Sequence, residues 1–398
     1  MARAAHEREL ATNSRMKSFR SCQRQHHFRY VEGWCAVSDA DTLIFGTDYH
    51  TGLDAWWGSH RDGEPELALE RALAAIPSRQ YEDPFVRVRL EVMLAGYDVR
   101  WGEWARQCEV LSIEQEFRAP LLNPATGAAS RTYILAGKID KMIRDPNGRV
   151  AIVDHKTSSE DVSVGSAYRA RLTMDGQIST YFDGAEWLGY APDYFLYDMS
   201  VKPRLMPRKA TPIEDRKYTL PKSRACKACA KKKDPVPPPH IDEEIGVECV
   251  DGRVETDPGG KLHANMREFD ETPDEYRERL MLAISEEHTY HYQHAEIVRT
   301  EVDRGDYQID VWQITTQMRE SALAGRAPRN PDSCWKYGRA CDYWPVCTGQ
   351  AAITNPVLYR KMDTVNPELA SATAPPVVAD ADTNPNPIDR EMESDDAI

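Results

Sequence analysis

No stretch of this 398-residue chain approaches the roughly 20 consecutive apolar residues that a membrane span needs. The opening MARAAHEREL has no apolar core of the secretory-signal kind, which sets the expectation of a cytoplasmic location. No internal repeat is present, so solenoids and propellers drop out. Basic charge is in deficit: 50 Lys and Arg stand against 64 Asp and Glu, a net −14. That balance weighs against nucleic acid, whose binders usually carry a basic footprint. Cysteine, at nine residues, is an odd count for disulfide pairing. In a reducing compartment it points to metal ligation or buried thiols.

What the chain does hold is a globular composition, 41% hydrophobic with nine Trp and 18 Tyr. The length allows roughly two to three domains and a sizeable core. The acidity is also uneven. Lys361 to Ile398 holds nine acidic and two basic residues, a net −7, which is half of the chain's total in its last tenth. Without aromatics beyond Lys361, and rich in Pro, Ala, Asp and Asn, this end reads as an acidic disordered tail, placed at 351–398.

Four other regions follow from the patterning. Residues 1–108 read as helical, with apolar residues three and four apart in PFVRVRLEVMLAGYDVRWGEWA. Over 109–202 the period shifts towards two: EVLSIEQEF, TYILAGKIDKMI and RVAIVDHK are strands, with Asp145-Pro146-Asn147-Gly148 as a turn. A helical stretch, Ala167 to Gly189, precedes a further strand, YFLYDMSV. Prolines, glycines and charge reversals make 203–272 an insertion of loops or short strands. Residues 273–350 hold two helices around the strand HAEIVRT, then a cysteine cluster. The fold class is α/β or α+β, with a central sheet flanked by helices.

The densest chemistry lies in AGKIDKMIRDPNGRVAIVDHKTS. Asp154 and Lys156 are two apart on one strand and emerge on the same face. The turn brings Asp140 beside them. Two carboxylates with a lysine suit a hard divalent cation, which lowers the pKa of a bound water and stabilises phosphoryl charge. A lone D-x-K is more often a solvated pair, but the apolar run Val150–Val153 makes this a buried strand that ends in charges. Glu114 and Glu116 alternate on the preceding strand, so either leans towards the metal or lines a solvated edge.

Gly137-Lys138-Ile139-Asp140 followed by Asp154-His155-Lys156 resembles the core of the PD-(D/E)XK nuclease superfamily, in its RecB-like branch. Two further signatures of that branch have counterparts: Gly46-Thr47-Asp48-Tyr49-His50, and Gln177-Ile178-Ser179-Thr180-Tyr181. Gln177 and Tyr181, four apart, share one helical face. The resemblance implies a restriction-endonuclease-like fold with a mixed sheet. It implies that Mg²⁺ or Mn²⁺ is held by His50, Asp140, Asp154 and the main-chain carbonyl of His155. Lys156 is then catalytic, with Gln177 and Tyr181 supporting it or contacting DNA. The implied activity is a metal-dependent deoxyribonuclease, an exonuclease on single strands or DNA ends. The chain resembles phage-encoded and CRISPR-associated members, which implies phage or host recombination proteins as partners and the host cytoplasm as location.

Cys334, Cys341 and Cys347 place three thiols within fourteen residues, a metal-ligand density. In members of the branch with an iron–sulfur cluster, the fourth ligand lies far upstream, and here Cys22 occupies that setting. The usual first gap of two residues is six here, as in phage-encoded proteins of the type. The resemblance implies a [4Fe–4S] cluster on Cys22, Cys334, Cys341 and Cys347 that joins the N- and C-terminal segments; zinc on the same four stays open. Cys226 and Cys229 form a separate C-x-x-C, with His240, Cys249 and His263 downstream. That group is either a small zinc site or a flexible basic loop, since KSRACKACAKKK carries six positive charges that suit a phosphate backbone. Cys35 and Cys108 read as ordinary thiols. Two rival functions remain: a non-catalytic DNA-binding or assembly module that keeps the fold and cluster, and a zinc- or redox-sensing regulator. Intact Asp140, Asp154 and Lys156 argue against the first, and the second leaves them without a purpose.

Overall fold

The computed structural model describes residues 8–37, 41–78, 81, 83–230, 240–242, 244–336 and 338–369. It comprises two units, Met1–Asn13 with Ser38–Thr316, and Ser14–Val37 with Gln317–Ile398.

In the first unit the period-two segments become β3 (Glu109–Leu122), β4 (Ala129–Arg144) and β5 (Val150–Ser158), a run of antiparallel pairs. Between β4 and β5 the chain reverses at Asp145–Gly148, where Gly148 takes φ 84°, a left-handed geometry that only glycine adopts at little cost. Asp145 pins the turn by accepting from the backbone N–H groups of Asn147 and Arg149. β5 then pairs in parallel with β6 (Tyr194–Val201). A parallel neighbour requires a crossover, supplied here by the helices Ala167–Leu172 and Gly176–Trp187. With β1 (Glu9–Ala11) parallel to β4 and β11 (Tyr292–Ile297) antiparallel to β6, the sheet is six-stranded and mixed. All of β6 is buried, hence its near-continuous apolar run.

Helices cover both faces, as the α/β expectation requires. On one face the helices Asp41–Arg61 and Phe85–Ala105 bury Trp56, Trp57 and Tyr97 against Ile143, Val153 and Leu196. Large side chains like these each contribute roughly 1.5–3 kcal/mol. On the other face, the helix Gly176–Trp187 sets Tyr181 between Phe117 and Phe195. Gly137 makes that packing fit: a Cβ there would lie 2.8 Å from the Phe117 ring and 3.3 Å from Tyr181.

The insertion forms a four-stranded sheet in the order β7 (Lys222–Ala225), β10 (Arg253–Asp257), β9 (Val247–Val250), β8 (His240–Asp242). The tri-lysine run at 231–233, part of the expected basic loop, lies outside the described residues. In the second unit β2 (Trp34–Ala36) pairs with β14 (Tyr359–Lys361), and β12 (Trp335–Lys336) with β13 (Arg339–Ala340). Tyr359 is buried and stacks on Tyr343. Residues 351–369, given to the tail on composition, therefore carry paired backbone, while 370–398 lie outside the described residues. Residues 14–37 group with the C-terminal cysteine segment instead of with the rest of 1–108.

Candidate active site and cysteine centres

The β4–β5 ladder runs from Arg144–Val150 to Lys141–Val153 and stops there. Beyond that pair the His155 backbone N–H donates to the Asp140 carboxylate at 3.1 Å. Asp154 and Lys156 stand on the sheet face that carries the helix Gly176–Trp187, and Lys156 Nζ lies 2.6 Å from Asp154 Oδ2. Gln177 spans the pair: its Nε2 donates to Asp154 Oδ1 at 2.9 Å, and its Oε1 accepts from Lys156 at 3.4 Å. Asp175 caps this helix by accepting from the Gln177 N–H, and is itself held by the Tyr197 hydroxyl at 2.8 Å. His50, from the helix Asp41–Arg61, brings Nδ1 to 3.7 Å from Asp140 Oδ2. The structure thus gathers His50, Asp140, Asp154, Lys156 and Gln177 in one place. Tyr181 stands beside them on the same helix as Gln177: its hydroxyl is hydrogen-bonded with Gln177, and its ring packs between Phe117 and Phe195.

Electrostatics at the site are those of a cation-binding pocket. The Asp154 side chain is 2% exposed. Burial pushes its carboxyl up to about 7, Asp140 adding to the rise while Lys156 opposes it. Asp140 is partly buried, which raises its pKa, yet His50, Lys156 and His155 hold it below the ordinary carboxylate range. Burial brings His50 down to about 4, against the pull of Asp140, so its imidazole is neutral at pH 7 and free to ligate. Burial disfavours the Lys156 charge, but Asp154 and Asp140 raise its pKa. A buried carboxylate that is costly to ionise beside a second one is what a divalent ion relieves. The residues fit Mg²⁺ or Mn²⁺.

Four contributors escaped the sequence reading. Asp54 lies one helical turn beyond His50, a spacing that reveals it in hindsight. Burial, with Glu114 and Asp140 adding and Lys141 opposing, takes Asp54 up to about 7. On the sheet face opposite Asp154, the His155 ring sits between Lys141, which contacts its Nε2, and Asp198, 3.1 Å from its Nδ1. The Tyr97 hydroxyl donates to Asp198, and the Lys141 ammonium lies over the Trp57 ring at 4.6 Å. Asp198 and Lys141 are essentially unexposed. The clue to Asp198 was an acid inside an apolar run; nothing in the sequence singled out Lys141. Glu114 and Glu116 do not simply alternate: Glu114 takes φ 53°, uncommon for a non-glycine residue, and pairs with Lys138. Glu116 lies opposite Lys138 and keeps one carboxylate oxygen buried without a partner.

The cysteines form two groups. Cys22, Cys334, Cys341 and Cys347 all line one cavity of the second unit, with Asn330, Tyr343 and Trp344. The six-residue gap is a small hairpin: β12 and β13 pair, Gly338 takes φ 74°, and the Cys341 N–H donates to the Cys334 carbonyl at 2.8 Å. Cys226, Cys229, His240 and Cys249 form the other group, with their ligand atoms all within 4.8 Å of one another. Among the described residues this is the one set so tightly drawn, and His263 stands outside it. Cys35 is buried and Cys108 half-buried; burial raises the Cys108 thiol to about 12.

The sequence profile of the PD-(D/E)XK nuclease superfamily matches residues 11–348. No curated protein matches the chain. Among solved structures, the crystal structure of SSO0001 aligns at 15% identity over 48% of this chain and 73% of that one, with a TM-score of 0.19.

Proposed function

Since the chain belongs to the PD-(D/E)XK nuclease superfamily, whose members are generally nucleases, we propose that it is a metal-dependent deoxyribonuclease of the RecB-like branch, acting on single-stranded DNA or DNA ends. The observation that carries the reading is the Asp140–Asp154–Lys156 constellation, with Gln177 bridging the aspartate and the lysine. Asp140, Asp154, His50 and the His155 carbonyl would hold one divalent cation, which when bound supplies a Lewis acid and a water of lowered pKa. Lys156, charged beside Asp154, is placed to orient the attacking water and to balance charge that grows on the phosphate. Gln177 fixes both side chains, and Asp175 and Tyr197 fix Gln177. From the opposite face Asp198 and Lys141 lock the His155 ring, and with it the strand backbone that would offer its carbonyl.

Cys22, Cys334, Cys341 and Cys347 line one cavity together, and four thiolates are the donor set of a [4Fe–4S] cluster, the group we assign to them. The cluster would tie residues near Cys22 to the C-terminal hairpin. We place the protein in phage or prophage DNA processing, in a host cytoplasm.

The test is purification under anaerobic conditions, iron and sulfide analysis, and incubation with end-labelled single- and double-stranded DNA plus Mg²⁺ or Mn²⁺. Metal-dependent degradation that disappears in Asp154→Ala supports the reading. Degradation unaffected by that change removes the site, and a preparation free of iron and sulfide removes the cluster.

A further inference from the structure

The insertion has almost no core of its own. Among its described residues, the buried apolar ones are Cys226, Cys249 and Val254, with Cys229 packed against them. Met206, Ile213, Tyr218, Leu220, Ile241 and Val250 are all more than half exposed. A four-stranded sheet that buries three such side chains falls well short of offsetting the entropy of its ordered backbone. Something else must hold it.

Register shows what that is. His240 of β8 stands opposite Cys249 of β9, and Cys249 opposite Val254 of β10. Residues in direct cross-strand register project from the same face of a sheet, so His240, Cys249 and Val254 form a row across three strands. Cys226 follows β7 directly, and the short helix Lys227–Ala230 carries Cys229. The Cys226 N–H donates to the Gly252 carbonyl at 2.8 Å, which ties this knuckle to the turn between β9 and β10. The His240 Nε2 lies 3.3 Å from Cys226 Sγ and 3.5 Å from Cys229 Sγ, and Cys229 Sγ lies 3.6 Å from Cys249 Sγ. These are the edges of a metal tetrahedron: Zn–S of about 2.3 Å and Zn–N of about 2.0–2.1 Å give S···N edges of about 3.5 Å and S···S edges of about 3.8 Å. Buried His240 Nδ1 has no partner, which leaves Nε2 as the atom committed to the thiols.

We propose that Cys226, Cys229, His240 and Cys249 bind one structural zinc ion, and that this ion orders the insertion. Three thiolates and one imidazole fill a tetrahedral shell and leave no open position, so the role is structural, not catalytic. Ligand softness selects zinc over the hard cation of the aspartate site. The two sites therefore differ in ion, in donor set and in what they do.

The experiment measures zinc and iron in the full-length chain, purified without chelator, beside Cys229→Ser, Cys249→Ser and His263→Ala. The expected result is one zinc per chain in the unaltered protein and in His263→Ala, and loss of that zinc in both serine variants with iron content unchanged. Absence of zinc from the unaltered protein, or equal zinc in the serine variants, overturns the site. Should the serine variants be insoluble, limited proteolysis of the unaltered chain with and without a zinc chelator decides. Cleavage within 222–257 that appears on chelation and is reversed by zinc supports the proposal; a pattern indifferent to zinc refutes it.

Discussion

The aspartate pocket and the cysteine knuckle of the insertion are both sets of metal-ligand side chains in one folded unit, yet they are supported in opposite ways. Around Asp154 the packing is done by residues that are not ligands: Trp56, Trp57, Tyr97, Phe117 and Phe195 form the layers above and below the sheet. In the insertion the cysteines proposed as ligands, Cys226, Cys229 and Cys249, make up the small core together with Val254. A pocket of the first kind keeps its shape whether or not the ion is present, which suits a metal that must admit substrate. A knuckle of the second kind depends on its ion for the fold.

The largest expected effect follows directly. Lys156→Ala should lower the cleavage rate by on the order of a thousandfold or more, with a melting temperature near that of the unaltered protein, because Lys156 is about one-third exposed at the edge of the core. A Lys156→Ala chain that melts early would erase the contrast between the two sites.

The next effect is on pH. Asp154 must lose its proton to ligate, and it titrates near 7 in the metal-free protein. Mg²⁺ affinity, read by calorimetry, should rise about tenfold per pH unit below 7 and level off above 8. The sign for stability is the reverse. A carboxyl whose folded pKa is raised contributes stability at low pH and loses it as pH climbs through about 7. Metal-free Asp154→Asn should therefore outlast the unaltered protein at pH 8 and not at pH 4. Denaturant melts at the two pH values check this.

In the second unit, Cys22→Ala should lose its iron and several degrees of melting temperature, since the thiol helps line the cavity between the residues near Cys22 and the C-terminal hairpin. An unchanged melting curve would contradict the cluster's role as a staple. The smallest effect should come from Gly137→Ala, which drives a methyl into Phe117. A loss of about 1–3 kcal/mol is expected from overpacking, measured as a shift in the urea midpoint.

Much of this was legible before the structure. Period two marked β3, β4 and β5, and two-residue spacing put Asp154 and Lys156 on one face, because strand geometry is local. His50 and Gln177 were legible through family resemblance alone; no local pattern brings them to the strand. The Lys141–His155–Asp198 layer was hidden, because it is assembled by pairing between β4, β5 and β6 that sequence spacing does not encode. For the same reason C-x-x-C at 226–229 stayed ambiguous: its partners His240 and Cys249 come from two other strands, and only their register aligns them. The net charge of −14 was a poor guide, since half of it falls in residues 361–398.

The most direct test compares Mg²⁺-dependent cleavage of end-labelled DNA by the unaltered protein and by Lys156→Ala, in preparations matched for iron and zinc. The account predicts degradation by the first and loss of it in the second at equal metal content. Equal rates in both would contradict it.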